Sequence, residues 1–306
     1  MHALELQARS LRRYCSPELF STILVVDNSA RVTPASHRER LLEAYGALAP
    51  KVQFVDRSSL GTLRGVDGWW RQQVLKIKVA EIVQTERYIV LDAKNHLVRP
   101  LTRECFQTHD GRMKMGVHSY SGHSLRRHLE RALDYFGMAK EPSLERFSAT
   151  TPPFAFDTAT VRELIAWVSK REGTPYERVV VARGLTEFFL YGAFVRSQGR
   201  FDQLYCEDES ASAAIWRGRA TAEACAEAIA VSHATQTPWF SIQRDAVPKL
   251  GRSARDLVAE FWTDRGLFLN KSASAAFLTL LRRAALFHLV RSLPARAMRR
   301  AGLRRV

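Results

Sequence analysis

Short apolar runs alternate with amphipathic stretches along this chain. Ser21–Ser29 (STILVVDNS) is a continuous apolar run closed by turn formers, the pattern of a buried strand. Lys51–Asp56 (KVQFVD) alternates as a strand does, and Arg87–Asn95 (RYIVLDAKN) predicts a third strand that stops abruptly in polar groups. Met113–His118 and Pro238–Gln243 read as shorter strands. Between them the spacing predicts helices over 3–14, 36–47, 69–84, 123–136, 185–199, 219–231 and 252–263. Another helix starts after Asp157 or Thr158 as N-cap, because Pro152 and Pro153 forbid helix before it. There is no internal repeat and no obvious linker. Strands alternating with helices predict one α/β domain with an open, mostly parallel sheet over residues 1–270, followed by a distinct tail, 271–306.

Charge sharpens that division. The 306 residues carry 46 Lys or Arg against 31 Asp or Glu, a net charge of +15. No acid follows Asp264, whereas ten basic residues do, so the body is only mildly basic, 36 against 31, and the tail strongly cationic. A body that bound nucleic acid should carry a basic face or motif of its own, and none is recognisable, which makes nucleic acid an unlikely partner. The tail mixes Phe277, Leu280, Leu281, Leu286, Phe287 and Leu289 with eight arginines, without a clean polar face on a helical wheel. It reads either as an attachment to an anionic membrane surface or as a packed helix with a frayed basic end. No uncharged stretch approaches the ~18 apolar residues of a spanning helix. Glu5 and Arg9 stand where a signal peptide would have its apolar core. Cys15, Cys105, Cys206 and Cys225 show no metal or redox spacing and read as reduced thiols. The expected location is cytoplasmic, peripheral at the inner face of the membrane if the tail attaches.

Familiar nucleotide signatures are missing. Gly61–Gly68 has the wrong spacing for a dinucleotide fingerprint, and no Gly-rich loop ends in Lys-Ser or Lys-Thr. There is no zinc-protease motif and no nucleophile elbow; His118, His123 and His128, five apart, suit no shared metal. What the sequence offers is polar residues at three strand ends: Asp27 with Asn28, Asp56 with Arg57, and Asp92 with Lys94 and Asn95. Carboxyl ends of strands line the ligand crevice of an open α/β sheet, so the three aspartates are expected around one cleft. A lone aspartate there is as often a turn former or cap.

The segments ARSLRRYCSPELFSTILVVDNS and WWRQQVLKIKVAEIVQTERYIVLDAKNHLVRPL resemble a bacterial family of uncharacterised glycosyltransferase-like proteins of GT-A type, linked to surface polysaccharide synthesis. TPPFAFDTATVRELI and TEFFLYGAFV are similar to that family's later segments, and the resemblance spans about residues 4–245. It implies a nucleotide-sugar donor and a glycan or lipid-linked acceptor, or else an inactive module that only binds such ligands. It also implies roles: Asp27, Asn28, Asp56, Trp70, Gln73, Lys76, Lys94 and Asn95 towards the donor, Thr151 and Tyr191 towards the acceptor. Asp92 would face the donor diphosphate, and Glu187 would be the general base. Of Gln72 and Gln73, on adjacent helix faces, one is expected to reach the site.

Two departures qualify what the resemblance implies. The metal-holding Asp-x-Asp is here Asp92-Ala93-Lys94, so either Lys94 supplies positive charge directly or Asp92 alone holds Mg²⁺ or Mn²⁺. Where such enzymes place a later histidine ligand, this chain has Gln243. The first strand of the GT-A pattern has no counterpart before the first helix: either the natural chain extends beyond Met1, or the sheet lacks that strand.

Overall fold

The computed structural model describes residues 2–28, 33–61, 63, 66–208 and 213–300, with side chains up to 290. Ser29, the residues missing from the 61–68 loop and the last six residues, on which parts of the sequence reading fall, lie outside that set.

The chain opens with α1 (His2–Tyr14), then β1 (Ile23–Asp27), α2 (Ala35–Tyr45) and β2 (Val52–Asp56). The β1 and β2 strands pair in parallel, with Asp27 opposite Asp56 at their ends. Helix α3 (Gly68–Lys78) follows, capped by Asp67, whose carboxylate accepts from Trp69 N and Trp70 N. Next come β3 (Arg87–Val90) and β4 (Asn95–Leu97), then β5 (Met113–His118), α4 (Arg126–Phe136), α5 (Glu141–Glu145), β6 (Phe147–Ser148) and β7 (Phe154–Asp157). Asp157 caps α6 (Thr158–Glu172), its carboxylate accepting from Thr160 N at 2.8 Å, as the sequence predicts. Then follow α7 (Tyr176–Arg183), α8 (Glu187–Ser197), α9 (Phe201–Leu204), β8 (Tyr205–Asp208) and β9 (Ala213–Ile215). The last elements are α10 (Ala222–Ala234), β10 (Trp239–Ile242), α11 (Arg252–Asp264) and α12 (Lys271–Arg300).

The expected single, mostly parallel sheet is not what forms. The fold is mixed α/β, and its strands make four small sheets: β1-β2, β3-β7, β4-β10-β9 and β6-β5-β8. Of six pairings among the described residues, β1-β2, β9-β10 and β5-β8 are parallel and the other three antiparallel. One cause lies at RYIVLDAKN, expected as one strand. The strand stops at Val90, and the chain turns, with Asn95 N donating to Asp92 O at 2.9 Å. It then re-enters as β4 in a different sheet, against β10. A polar turn of Asp, Lys and Asn cannot continue through an apolar interior, so the strand breaks where its hydrophobic run ends. Asp92-Ala93-Lys94 therefore lies at the crossover between two sheets.

Two large cores flank this crossover. One gathers Leu11, Val74, Ile77, Phe156, Phe188 and Tyr191; the other gathers Leu6, Val98, Phe240, Val258, Trp262 and Phe277. Helix α1 contributes to both, through opposite sides of the same short helix. The α12 helix begins in the second core, where Phe277, Leu278 and Ala285 are buried. The stretch Lys271–Val290 is long and apolar enough to cross a membrane, contrary to the expectation from uncharged run length. Arg282 and Arg283 interrupt the run without lowering its mean hydropathy below 1.3.

Candidate functional site at the strand crossover

The Asp92 turn is held from behind by α1. Gln7 donates through its amide to the carbonyls of Asp92, at 2.8 Å, and Asn95, at 2.9 Å. Ser10, one turn on, accepts from Leu97 N at 2.9 Å. Asn95 closes the turn: its Oδ1 accepts from Asp92 N, and its Nδ2 donates to Pro152 O. Every polar atom of the buried Asn95 side chain is spent inside the protein, so its expected role towards a donor is corrected to that of a clasp. Thr151, expected at the acceptor, is half-buried next to the Pro152 carbonyl that Asn95 holds.

From the side, α3 presents a polar face to the same turn. Gln72 donates to Asp92 Oδ1 at 2.7 Å. Lys76, one turn further, bridges two carboxylates, with its Nζ 3.0 Å from Asp92 Oδ1 and 3.0 Å from Glu187 Oε1. Gln73, with its amide nitrogen turned to the carboxylate, donates to Glu187. Both glutamines are thus engaged, each on a different carboxylate, where one was expected to reach the site. Gln73 is corrected from a donor contact to a buried partner of Glu187, and Lys76 to a half-buried partner of Glu187 and Asp92. The helix is anchored at its start, where Asn28 Nδ2 donates to the Gly68 carbonyl at 3.1 Å.

Glu187 does not fit its expected role. It is 1% exposed at the start of α8, and Lys76 lies between it and Asp92. Two oxygens each 3.0 Å from one nitrogen are at most about 6 Å apart, which leaves no room for a sugar ring between them. Burial raises the Glu187 pKa more than the Lys76 ammonium lowers it. Asp92 goes the other way: burial would raise it, but Lys76 and Lys94, by charge and hydrogen bond, bring it down to about 2. Lys76 itself is penalised by burial, yet Glu187 and Asp92 raise its pKa overall. The three form a knot joined through the Lys76 ammonium, and Phe188 covers that ammonium 4.7 Å away.

Tyr191 is likewise corrected. It is fully buried, its hydroxyl 2.6 Å from that of Tyr205 and 3.2 Å from Asp157 N, so it supports the core and lines no accessible surface. At the other strand ends, Asp27 Oδ2 accepts from Thr33 N and Oγ1, and Asp56 caps the turn after β2 by accepting from Ser58 N at 2.7 Å. Trp70 packs edge-on against Trp69 and His128 at the start of α3, with ring centroids 4.7 and 6.1 Å away.

The open side of the crossover joins Lys94, expected from the sequence to supply positive charge, to Trp216, which the sequence reading did not single out. Lys94 Nζ donates to Asp92 Oδ2 at 2.9 Å and is partly exposed. It sits 5.6 Å from the centre of the Trp216 ring, which is 41% exposed. Trp216 follows β9, and Gln243, just past β10, accepts from Arg217 N at 2.8 Å and so pins that segment. Behind the turn, His96 Nε2 accepts from Trp262 Nε1 at 2.9 Å, while Nδ1 lies 3.3 Å from Lys94 O. Burial pushes the His96 pKa down to about 4, against the opposing effect of the Lys94 carbonyl. The only sequence signal for Gln7, Ser10 and His96 was a polar residue on an otherwise apolar face.

The residues around Asp92 do not fit a divalent cation. Both carboxylate oxygens accept from lysines, one from Gln72 as well, and among the described residues no three His, Cys, Asp or Glu side chains gather to hold a metal. The positive charge here comes from lysine.

The model of one protein family matches residues 1–228, about three quarters of the chain. The chain belongs to the family of unknown function DUF6492. The matched region contains α1, α3, the Asp92 turn, α8 and Trp216, and it ends inside α10, before β10 and Gln243. No curated protein matches the chain.

Proposed function

We propose that this chain binds a nucleotide sugar at the Asp92-Ala93-Lys94 turn and transfers its sugar to a glycan or lipid-linked acceptor. The observation that carries the reading is the pairing of the Lys94 ammonium with the exposed Trp216 ring on the open side of the crossover. A nucleoside diphosphate needs a cation for its charge and a flat apolar surface for its base or sugar. Lys94 spends one of its three protons on Asp92, which orients it, and the other two are directed to a diphosphate leaving group. Lysine then does what a metal does in related chemistry. The GT-A-like resemblance of the Trp69–Leu101 segment supports the same reading.

A second reading, an inactive module that binds nucleotide sugars, draws on a different observation. Both carboxylates of the knot are held by Lys76, so neither is available to take the acceptor proton. In an active enzyme that proton would leave towards the donor phosphate.

Release of nucleoside diphosphate from a panel of nucleotide sugars, with and without Mn²⁺ and EDTA, separates the two. Transfer predicts acceptor-dependent release that EDTA does not abolish, and Lys94→Ala should weaken diphosphate binding about tenfold or more. Thermal stabilisation by a nucleotide sugar without turnover would favour the binding module. Neither stabilisation nor turnover across the panel would reject both.

A further inference from the structure

The α12 helix has two apolar faces, and the core uses only one. Ser274, Phe277, Leu278 and Ala285 are buried against the body, where Phe277 meets Phe268 with ring centres 5.1 Å apart. At 3.6 residues per turn, Leu280, Phe287 and Val290 recur on the opposite side, with Leu286 beside them. They are 43%, 58%, 63% and 41% exposed, respectively. Exposed Arg283 lies on that same face, between Leu280 and Phe287. Beyond Val290 the sequence adds six arginines and no acid. An apolar stripe carrying and followed by cations is complementary to one kind of surface, an anionic bilayer.

We propose that α12 is an in-plane membrane-docking helix: its outer face enters the headgroup boundary of an anionic bilayer while its inner face stays in the protein core. Length and hydropathy alone would also allow this helix to span. Spanning would strip Phe277, Leu278 and Ala285 out of the second core and carry Arg282 and Arg283 into hydrocarbon. Docking in the plane keeps the packing and lets the arginines reach headgroup phosphates from the edge of the stripe. The contact would hold an enzyme or binding module beside lipid-linked molecules, but it does not depend on the donor site.

The test is co-sedimentation of the full chain with phosphatidylcholine vesicles, with and without phosphatidylserine. Removing the helix altogether would open the second core, so substitutions on its outer face are the cleaner probe. Wild type should prefer anionic vesicles by about tenfold or more, and high salt should reverse this. Leu280→Glu with Val290→Glu should reduce partitioning by about tenfold at an unchanged melting temperature. Arg296→Gln with Arg299→Gln and Arg300→Gln, which leaves the packed half untouched, should reduce the anionic preference even if the first variant fails to fold. Equal binding to neutral vesicles, or full binding by both variants, would overturn the proposal. So would a dimer that the Leu280 and Val290 substitutions convert to monomer, since the covering surface would then be a second copy. Association that survives an alkaline wash would show a spanning helix instead.

Discussion

Asp56 ends a strand and Asp92 lies just past the end of another, yet the structure treats them differently. Asp56 caps its own turn through Ser58 and is exposed. Asp92 is met by Lys76 and Gln72 from α3, by Lys94 from its own turn, and through its backbone by Gln7 from α1. The same residue type in the same kind of place is a local turn former in one case and the centre of a charged knot in the other. What differs is the number of elements that converge. The β1-β2 pair ends at the rim, whereas β3 ends where two sheets part and two helices close in.

The strongest test of this contrast is Lys76→Met, which keeps the length and removes the ammonium. Buried Glu187 and half-buried Asp92 would then be left without Lys76, at a cost of about 3–5 kcal/mol of stability by denaturant unfolding. Glu187, whose pKa burial already raises, should take up a proton, so part of the loss should return at acid pH. Adding Glu187→Gln to Lys76→Met should recover part of it at neutral pH. A loss below about 1 kcal/mol would mean that the knot is no more consequential than a surface pair.

His96 tests the wall behind the turn. Its pKa is depressed to about 4 in the folded chain and lies near 6.5 when unfolded, so the unfolded state binds the extra proton between those values. The stability from neutral, buried His96 is therefore complete above about pH 6.5 and is lost as the pH falls towards 4, by an amount on the order of 3 kcal/mol. His96→Gln should flatten that limb of the stability profile. A profile equally steep in the variant would assign the acid sensitivity elsewhere. Asp92, held down to about 2, gives way only below about pH 4, so the two limbs are separable.

The smallest effect belongs to the other strand end. Asp56→Ala should shift the melting temperature by about 2 °C or less, because its partners are an exposed serine and a single turn. A shift as large as that of Lys76→Met would erase the distinction between the two aspartates.

Much of this was legible in the sequence. The strand ends at Asp27 and Asp56, the Asp157 cap and most of the helices follow from hydrophobic period and turn chemistry, which are local properties. Regular helix spacing set Lys76 one turn from Gln72 and so towards the same side, but not that it meets Asp92 and Glu187. Pairing was not legible. Short apolar strands do not record whether their neighbour runs parallel or antiparallel, and the division into four sheets depends on chain reversals far apart in sequence. Glu187 and Tyr191 show the same limit: each is a polar residue in an apolar helix, and the sequence reads that as a residue facing ligand. The folded chain spends Glu187 on Lys76, 111 residues away, and Tyr191 on Tyr205. Trp216, just after a short strand that the sequence reading passed over, reaches Lys94 only through the β4-β10-β9 sheet. By itself the sequence determined where most of the longer helices and the first two strands lie, and where charge accumulates, because those depend on neighbours along the chain. Which carboxylate is buried, which cation it meets and which face of α12 is left outside were decided only by tertiary packing, because burial and ion pairing depend on neighbours in space.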